Sequence, residues 1–207
     1  NWYSLPGDMF EVKVDNFIID IVREALLIEI QTKNFFGIKK KLIKLLENHE
    51  VRLVYPIPQL KWIVHVTESG ERIRRRIAPR KGNLGDLFYE LIRTPNLIKK
   101  DNFSLEVLMI DEEEVRCNDG KGSWRRRGVS IKDRRLMNVN NKILFKNEND
   151  FLRFLPEYPI KPFTNRKFTE LSGVSISLAR KITYCLRKMG AITASGKRGK
   201  ELIFEIC

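Results

Sequence analysis

Two carboxylates interrupt apolar segments near the start of the chain. Asp20 lies within residues 17–22 and Glu29 within residues 26–31, and most of their neighbours are apolar. A buried carboxylate without a partner is unfavourable by several kcal/mol, so each acid needs a partner, a shifted pKa or a cation. Two carboxylates that converge at a strand edge suit Mg²⁺, which binds one or two carboxylates together with water and phosphate. The pattern predicts a divalent-metal site or, alternatively, two acids that pair with arginines or face solvent.

The two acids fall on segments that a tight turn joins. Both segments are apolar on both faces, which is typical of strands buried in a sheet, and only residues 23–25 separate them. A turn centred on residues 24 and 25 places Asp20 directly opposite Glu29. A turn one residue earlier places it diagonally, about 7–8 Å away on the same face. Strand alternation puts Gln31 and Lys33 on the face of Glu29.

A helix and further strands follow this hairpin. Asn34 is a suitable N-cap for a helix that extends to about Asn48, with an apolar stripe and with lysines away from it. Residues 51–55 and 61–66 are apolar and predict two more strands. The order strand, hairpin, strand, helix, strand predicts an α/β (α+β) fold with a mixed β-sheet flanked by helices.

This order of elements resembles the core of the PD-(D/E)xK, or restriction-endonuclease-like, nucleases. The resemblance rests on Asp20, eight intervening residues, Glu29 with Gln31, a lysine-rich helix and the strand at 51–55. It implies metal-dependent hydrolysis of DNA phosphodiesters, with Asp20 and Glu29 as ligands of Mg²⁺ (or Mn²⁺). It also implies that Gln31 positions water and that Lys33 is an electrostatic stabiliser, and we include both among the catalytic residues.

The sequence departs from the motif at its third position, where Gln31 replaces the usual lysine. Some members of the superfamily carry Gln there and still cut DNA. Lys39 or Lys40 on the following helix could supply the missing charge, and Glu11 is the candidate for an additional acid. Runs within residues 28–32, 51–56 and 122–127 also resemble an uncharacterised prokaryotic family, which implies no activity.

The chain is strongly basic. It has 39 Lys and Arg against 26 Asp and Glu, a net charge of +13. This balance favours nucleic acid as the partner, because each neutralised phosphate releases counterions. Trp124 precedes one arginine cluster, and a core position is favoured over base stacking for this side chain. Two clusters predict phosphate contacts in DNA: Arg74, Arg75 and Arg76, and Arg125, Arg126 and Arg127.

The C-terminal segment has the pattern of a winged helix-turn-helix domain. Thr164 and Ser175 are N-caps for a short helix and for a longer one that ends at Met189, and a basic hairpin with its turn at 195–200 follows. The resemblance implies that the longer helix enters the major groove and that the wing contacts phosphate. A winged helix that packs or binds protein is the alternative. The predicted DNA-binding residues here are Arg180, Lys181, Tyr184, Arg187, Lys188, Lys197 and Arg198.

We place the domain boundary near residue 149, so that residues 1–149 form the nuclease-like domain and residues 150–207 the winged-helix domain. Prolines 156, 159 and 162 lie in the connection. No apolar run is long enough to cross a membrane, and no secretory signal is visible. Three widely spaced cysteines and two histidines disfavour disulfides and zinc.

Together these features predict a cytoplasmic, metal-dependent DNA endonuclease that has no membrane partner. Cutting both strands of a duplex would favour a homodimer. The alternative is a catalytically inactive protein with the nuclease fold that binds DNA or has a regulatory role. An adaptor that docks a protein leaves the basic surface unexplained.

Overall fold

A computed structural model describes residues 3–156 and 162–207. The described residues form a mixed α/β (α+β) structure, as predicted. The strands and α-helices are β1 (Met9–Val14), β2 (Phe17–Arg23), β3 (Leu26–Ile30), α1 (Phe35–Leu45), β4 (Glu50–Val66), β5 (Arg72–Ile77), α2 (Leu87–Leu91), β6 (Phe103–Asn118), β7 (Val129–Phe145), α3 (Asn165–Ser172), α4 (Ile176–Met189), β8 (Ile192–Arg198) and β9 (Glu201–Ile206). Short 3-10 helices span Leu84–Asp86, Pro95–Lys99, Trp124–Arg126 and Glu148–Phe154.

Strands β1 to β7 belong to one mixed sheet within the described residues. The order is β1-β2-β3-β4-β6-β7, and β5 pairs with β4. Strands β1, β2 and β3 form an antiparallel meander, whereas β3 and β4 are parallel, from Leu26 opposite Glu50 to Ile30 opposite Val54. Parallel neighbours need a crossover connection, and α1 provides it by burying Phe35 on the sheet.

Helix α1 begins as predicted but ends early. The side chain of Asn34 accepts a hydrogen bond from the Gly37 amide at 3.3 Å, which is N-capping geometry. The helix ends at Leu45 rather than near residue 48. The Asn102 side chain donates to the carbonyls of Leu46 and His49 at 3.0 and 2.7 Å, so the chain beyond the helix is held by a distant residue that local periodicity does not reveal.

Strands β6 and β7 are long, and the sequence pattern did not predict them. Most of β7 is exposed along its length, so it lacks the apolar alternation by which a half-buried strand is recognised. The opposite holds for β6, which is buried almost throughout and carries four consecutive acids at 111–114. Pairing within the sheet, rather than local pattern, makes both segments extended.

The chain divides into two compact units. The first comprises residue 3 and residues 56–84 and 108–142; the second comprises residues 4–55, 85–107, 143–156 and 162–207. The hairpin β2–β3 and the C-terminal helices both belong to the second unit. The predicted boundary near residue 149 falls in the 3-10 helix Glu148–Phe154, and the division into two domains there stays a prediction.

Aromatic side chains form part of the core of the second unit. The rings of Phe145 and Phe151 stack with centroids 4.4 Å apart, and Phe88 meets Phe154 edge-on at 4.6 Å. Helix α4 contacts α2 and the 3-10 helices at 95–99 and 148–154. The segment near the predicted boundary therefore packs into a core, although Pro159 in the expected connection lies outside the described residues.

The C-terminal helices are capped as the sequence predicts. Thr164 and Ser175 accept hydrogen bonds from the amides of Lys167 and Leu178, at 3.3 and 3.2 Å. The hairpin β8–β9 is longer than predicted, because its strands continue to residues 198 and 201 and leave only a two-residue turn. Across the described residues, no helix combines the length and apolar character that crossing a membrane requires.

Candidate active site

The hairpin β2–β3 brings the two predicted carboxylates to one face. Its register pairs Ile21 with Ile28 and continues to the turn at residues 24 and 25, which is the first of the two predicted registers. Continuing the register places Asp20 across from Glu29. The backbone pairing of β2 with β3 extends from the turn to Ile21 and Ile28. Beyond it, the Asp20 side chain takes part, because its Oδ2 accepts a hydrogen bond from the Ile30 amide at 2.7 Å.

Glu29 is a buried acid held beside a lysine. The residue is 5% exposed, and its Oε1 lies 2.6 Å from Nζ of Lys41 on α1. Although the two atoms are close, Oε1 has no hydrogen bond of good geometry among the described residues. Burial raises the pKa of Glu29 above its ordinary value; the Lys41 ammonium opposes this effect, and the charge of Asp20 adds to it.

Lys41 is the functional candidate that the sequence pattern missed. We expected a cation from Lys39 or Lys40 and placed Lys41 away from the buried stripe. In the structure Lys41 is half-buried, contacts Glu29 and also donates to the carbonyl of Ile18. Its long apolar stem explains the placement, because the ammonium reaches past the helix flank into the sheet. The sequence does contain one signal: Lys41 directly precedes Leu42 of the apolar stripe, so it lies at the edge of the buried face of α1.

The other two predicted catalytic residues lie nearby in the chain but make different contacts. The Gln31 side-chain amide donates to the backbone carbonyl of Lys33. Lys33 is exposed, and it lines a cleft of about 450 Å³ together with Phe36, Tyr89 and Arg93. Lys41, rather than Lys33, therefore contacts Glu29.

The donor set of this site fits a divalent cation with few protein ligands. Asp20 and Glu29 share a face, and the negative charge of one raises the pKa of the other, so a cation between them would relieve repulsion. The described residues contain no group of three or more His, Cys, Asp or Glu side chains arranged to hold a metal. Water and phosphate oxygens would have to complete the coordination, as Mg²⁺ accepts.

The backbone next to Asp20 is strained at the position of the third candidate acid. The register pairs Phe10 with Ile21 and Val12 with Ile19, which places Glu11 opposite Asp20. Glu11 has a φ of 51°, a left-handed conformation that a non-glycine residue rarely adopts. Its side chain is exposed, and no contact with the carboxylate pair is present.

The first arginine cluster lies on β5. β5 is antiparallel to β4, and its alternation divides the cluster between two faces. Arg75 donates to Glu113 Oε1 at 2.9 Å and stacks on Trp62, with its guanidinium carbon 3.7 Å from the ring centroid. Arg74 and Arg76 lie on the opposite face and have no acidic partner among the described residues.

The face that carries Arg74 and Arg76 has positive potential. His65 on β4 is beside them, and its pKa is lowered, first by burial and then by the charges of Arg116, Arg76 and Arg74. Arg116 is itself paired with Glu114, so Arg74 and Arg76 are the cations of this group without an acidic partner among the described residues. The phosphate contacts expected of Arg74 and Arg76 stay a prediction.

The second arginine cluster lies in the loop between β6 and β7. The residues of this cluster, Arg125, Arg126 and Arg127, are exposed, and none has an acidic partner among the described residues. Trp124 is 83% exposed, so the core position favoured for it is wrong. The tryptophan begins the short 3-10 helix Trp124–Arg126 at the tip of the loop.

The predicted DNA-binding face of α4 is largely exposed. The buried positions of this helix are those that contact the rest of the second unit, and the other side presents Arg180, Tyr184, Arg187 and Lys188. Lys181 differs, since it is half-buried and its Nζ lies 5.6 Å from the ring centroid of Tyr89 on α2. Lys197 and Arg198 are exposed on β8.

An acidic run on β6 neutralises part of the basic charge in the first unit. Lys61 Nζ lies 2.6 Å from Glu112 Oε1, and Arg116 lies at the same distance from Glu114 Oε1. Burial acts to raise the pKa of Glu114, but the hydrogen bond from Arg116 and the other cations outweigh it, and the pKa is lowered. The number of Lys and Arg residues therefore overstates the basic surface available to a polyanion.

Comparison with known proteins places the chain in a family. No solved structure matches it. A protein of Treponema pallidum (strain Nichols) described as "Uncharacterized protein" is 26% identical over 205 residues, which cover 99% of this chain and 81% of that protein. Residues 1–146 match the family model described as "Domain of unknown function (DUF8091)", and the chain therefore belongs to the DUF8091 family.

Proposed function

We propose that the protein is a metal-dependent DNA endonuclease of the PD-(D/E)xK type, with a nuclease-like domain at residues 1–149 and a winged-helix DNA-binding domain at residues 150–207. The observation that carries the proposal is the placement of Asp20 and Glu29 on one face of a hairpin, with the Lys41 ammonium beside them. The protein would act in the cytoplasm, and a homodimer would allow it to cut both strands.

The buried charges give each residue a role. Asp20 and Glu29 would hold Mg²⁺ or Mn²⁺, which lowers the pKa of a bound water and neutralises charge on the phosphate. Lys41 stabilises negative charge on the phosphate oxygens, the role for which the resemblance suggested Lys33. Gln31 orients water through its side-chain oxygen, because an amide cannot serve as a base at neutral pH.

The energetics of the site support a functional rather than a structural role. Burial raises the pKa of Glu29, and an acid whose pKa is higher in the folded state destabilises the folded protein at neutral pH. Glu29 is therefore not placed to increase stability. The left-handed backbone of Glu11 opposite Asp20 is a second local cost, of about 1–3 kcal/mol. Such costs concentrate at sites where geometry serves binding or catalysis.

A plasmid-cleavage assay tests the catalytic proposal. Wild-type protein is incubated with supercoiled plasmid and Mg²⁺ or Mn²⁺, beside Glu29→Gln and Asp20→Asn. We expect each variant to lose at least about 100-fold in rate, the loss typical of removing one group that stabilises developing charge. Glu47→Gln is the matched control, since Glu47 is an exposed acid paired with Lys44. Equal rates for the wild type and Glu29→Gln would refute the proposal.

The exposed basic face of α4 supports the DNA-binding part. The affinity for duplex DNA should fall with salt, with a log–log slope of about −0.9 for each phosphate contact. Replacing Arg180 and Arg187 by Ala should reduce the slope by about 2 in total. Lys167→Ala is the control, because Lys167 is paired with Glu170 on α3. A salt-independent affinity would exclude nucleic acid as the partner.

A non-catalytic DNA-binding or regulatory protein is the second candidate. The short distance between Lys41 and Glu29 favours it, because the ammonium already compensates the buried acid. The cleavage assay separates the two candidates. DNA binding by a wild-type protein that never cuts, with either metal, would support the second candidate and exclude the first.

A further inference from the structure

The loop that joins β6 and β7 presents an aromatic ring to solvent. Trp124 is 83% exposed, although large aromatic side chains are mostly buried in folded proteins. The guanidinium of Arg125 lies near the ring, with its central carbon 5.7 Å from the ring centroid. The indole face is therefore available for a further stacking partner.

This exposure is built into the loop. The Gly122 amide donates to the Gly128 carbonyl at 2.8 Å, and the Arg127 amide donates to the Trp124 carbonyl at 3.0 Å. A Cβ at Gly122 would lie 1.9 Å from the carbonyl oxygen of Val129, so only glycine fits where the two sides of the loop meet. The backbone that carries the tryptophan is thus fixed by its own hydrogen bonds, which reduces the entropy lost on binding.

The charge of the loop is segregated between its base and its tip. Asp119 at the base accepts from the Ser130 hydroxyl at 2.9 Å and lies 2.7 Å from Lys132 Nζ. The hydrogen bond from Lys132 is the main reason that the pKa of Asp119 is lowered. The acid is therefore compensated at the base, and the tip carries only cations, on the three residues that follow Trp124.

An exposed indole followed by three guanidinium groups, none of which has an acidic partner among the described residues, suits a ligand that has both flat faces and negative charge. Unpaired bases of a nucleic acid strand have both, whereas duplex DNA hides its base faces in the stack. We propose that Trp124 stacks on an unpaired base while Arg125, Arg126 and Arg127 contact the flanking phosphates. The substrate of the protein is then DNA that contains a single-stranded segment. This inference rests on the DNA-binding part of the proposed function.

Binding measured without metal tests the stacking. Fluorescence anisotropy in EDTA compares a labelled 20-residue oligo(dT) with a 20-base-pair duplex. We expect Trp124→Ala to bind oligo(dT) about 5- to 150-fold more weakly, the range that corresponds to about 1–3 kcal/mol per stacked base, and to bind the duplex within about twofold of the wild type. Trp124→Phe should retain most of the affinity, because its ring also stacks.

Phe36→Ala is the matched control, since Phe36 is an exposed aromatic residue, at 66%, on a different element. It should leave oligo(dT) binding unchanged. Oligo(dT) should also quench part of the tryptophan fluorescence of the wild type, and that quenching should be absent in Trp124→Phe. Equal affinities of the wild type and Trp124→Ala for oligo(dT) would overturn the inference. Binding to an acidic peptide, with none to oligo(dT), would overturn it as well.

The same measurements on Glu29→Gln separate this inference from the catalytic proposal. The variant should cut DNA at least about 100-fold more slowly than the wild type. In EDTA, where no metal occupies the site, it should bind oligo(dT) as the wild type does. If the wild type cuts no DNA while Trp124→Ala still loses oligo(dT) affinity, the catalytic proposal fails and the stacking stands. If cleavage depends on Glu29 while Trp124→Ala binds normally, the stacking fails and the catalytic proposal stands.

Discussion

Replacement of Lys41 by Met measures how strongly the buried acid depends on its cation. The substitution removes the ammonium that lies 2.6 Å from Glu29 and retains an apolar side chain of similar length. Glu29 then has a buried carboxyl group without a counter-charge, because its side chain is only 7% exposed. The folded protein can keep the carboxylate ionised at a large desolvation cost, or it can bind a proton.

Protonation sets the upper limit of the destabilisation. The ordinary pKa of the group is 4.5, so holding it neutral at pH 7 costs about 3.4 kcal/mol, at about 1.4 kcal/mol per pH unit. At pH 5 the limit is about 0.7 kcal/mol by the same constant. Because the backbone amide of Asp20 also favours the ionised form, we expect a loss of about 2–3 kcal/mol at pH 7.

The pH dependence of this loss in stability follows from the difference between the pKa of Glu29 in the folded and in the unfolded state. Without Lys41 the pKa of Glu29 in the folded state rises further above its value in the unfolded state. The penalty is complete above the folded pKa and disappears as the pH falls to the unfolded value of about 4.5. The difference in unfolding free energy between the wild type and Lys41→Met should therefore shrink as the pH is lowered from 7 to 5.

Urea unfolding in EDTA, at pH 7 and pH 5, measures the effect. Lys40→Met is the matched control, because Lys40 is exposed on the same helix, and it should change stability by less than about 0.5 kcal/mol. Glu29→Gln combined with Lys41→Met should recover most of the loss, since neither side chain is then charged. An equal loss at both pH values would refute the reasoning and would show that Lys41 acts through its packed stem.

Gly122→Ala should destabilise the protein by about 1–3 kcal/mol in thermal unfolding, because the added methyl group meets backbone; Gly196→Ala is the control, because its methyl group would make only an ordinary contact with the Ile203 side chain at 3.9 Å, and equal effects would contradict the steric argument. Asp8→Asn should make the stability of the protein depend less on pH between about pH 4 and pH 2. The arginine beside Asp8 lowers its pKa from 3.8 to about 2, so the carboxylate contributes stability that is complete above pH 3.8 and is lost as the pH falls to about 2; an unchanged acid transition would contradict this. A thiol reagent should label Cys207 first, because it is exposed, whereas burial raises the pKa of Cys185 to about 12; rapid labelling of Cys185 in the native protein would contradict its burial.

Local sequence was sufficient for the hairpin and for the helix caps. The tight turn between β2 and β3 and the N-caps of α1, α3 and α4 depend on neighbouring residues, so periodicity and capping chemistry predict them. Strand alternation also predicts that Asp20 and Glu29 share a face, but it leaves two registers open, and the structure selects the one in which the two acids are directly opposite.

The partners of the charged side chains could not be read from the sequence. Lys39, Lys40 and Lys41 are consecutive and chemically identical, and only the position of α1 on the sheet selects Lys41 as the partner of Glu29. In the same way, Arg75 stacks on Trp62 whereas Arg74 and Arg76 do not, because the pairing of β5 with β4 decides which face each side chain occupies.

The sequence by itself determined the mixed fold class, the acids on adjoining strands and the basic character of the chain, since these follow from composition and from contacts a few residues apart. The tertiary structure decided which lysine faces the acid, which arginines remain unpaired, and that Trp124 is exposed rather than buried. Each of these outcomes depends on contacts, or on their absence, between residues distant along the chain, and such contacts leave no local periodicity.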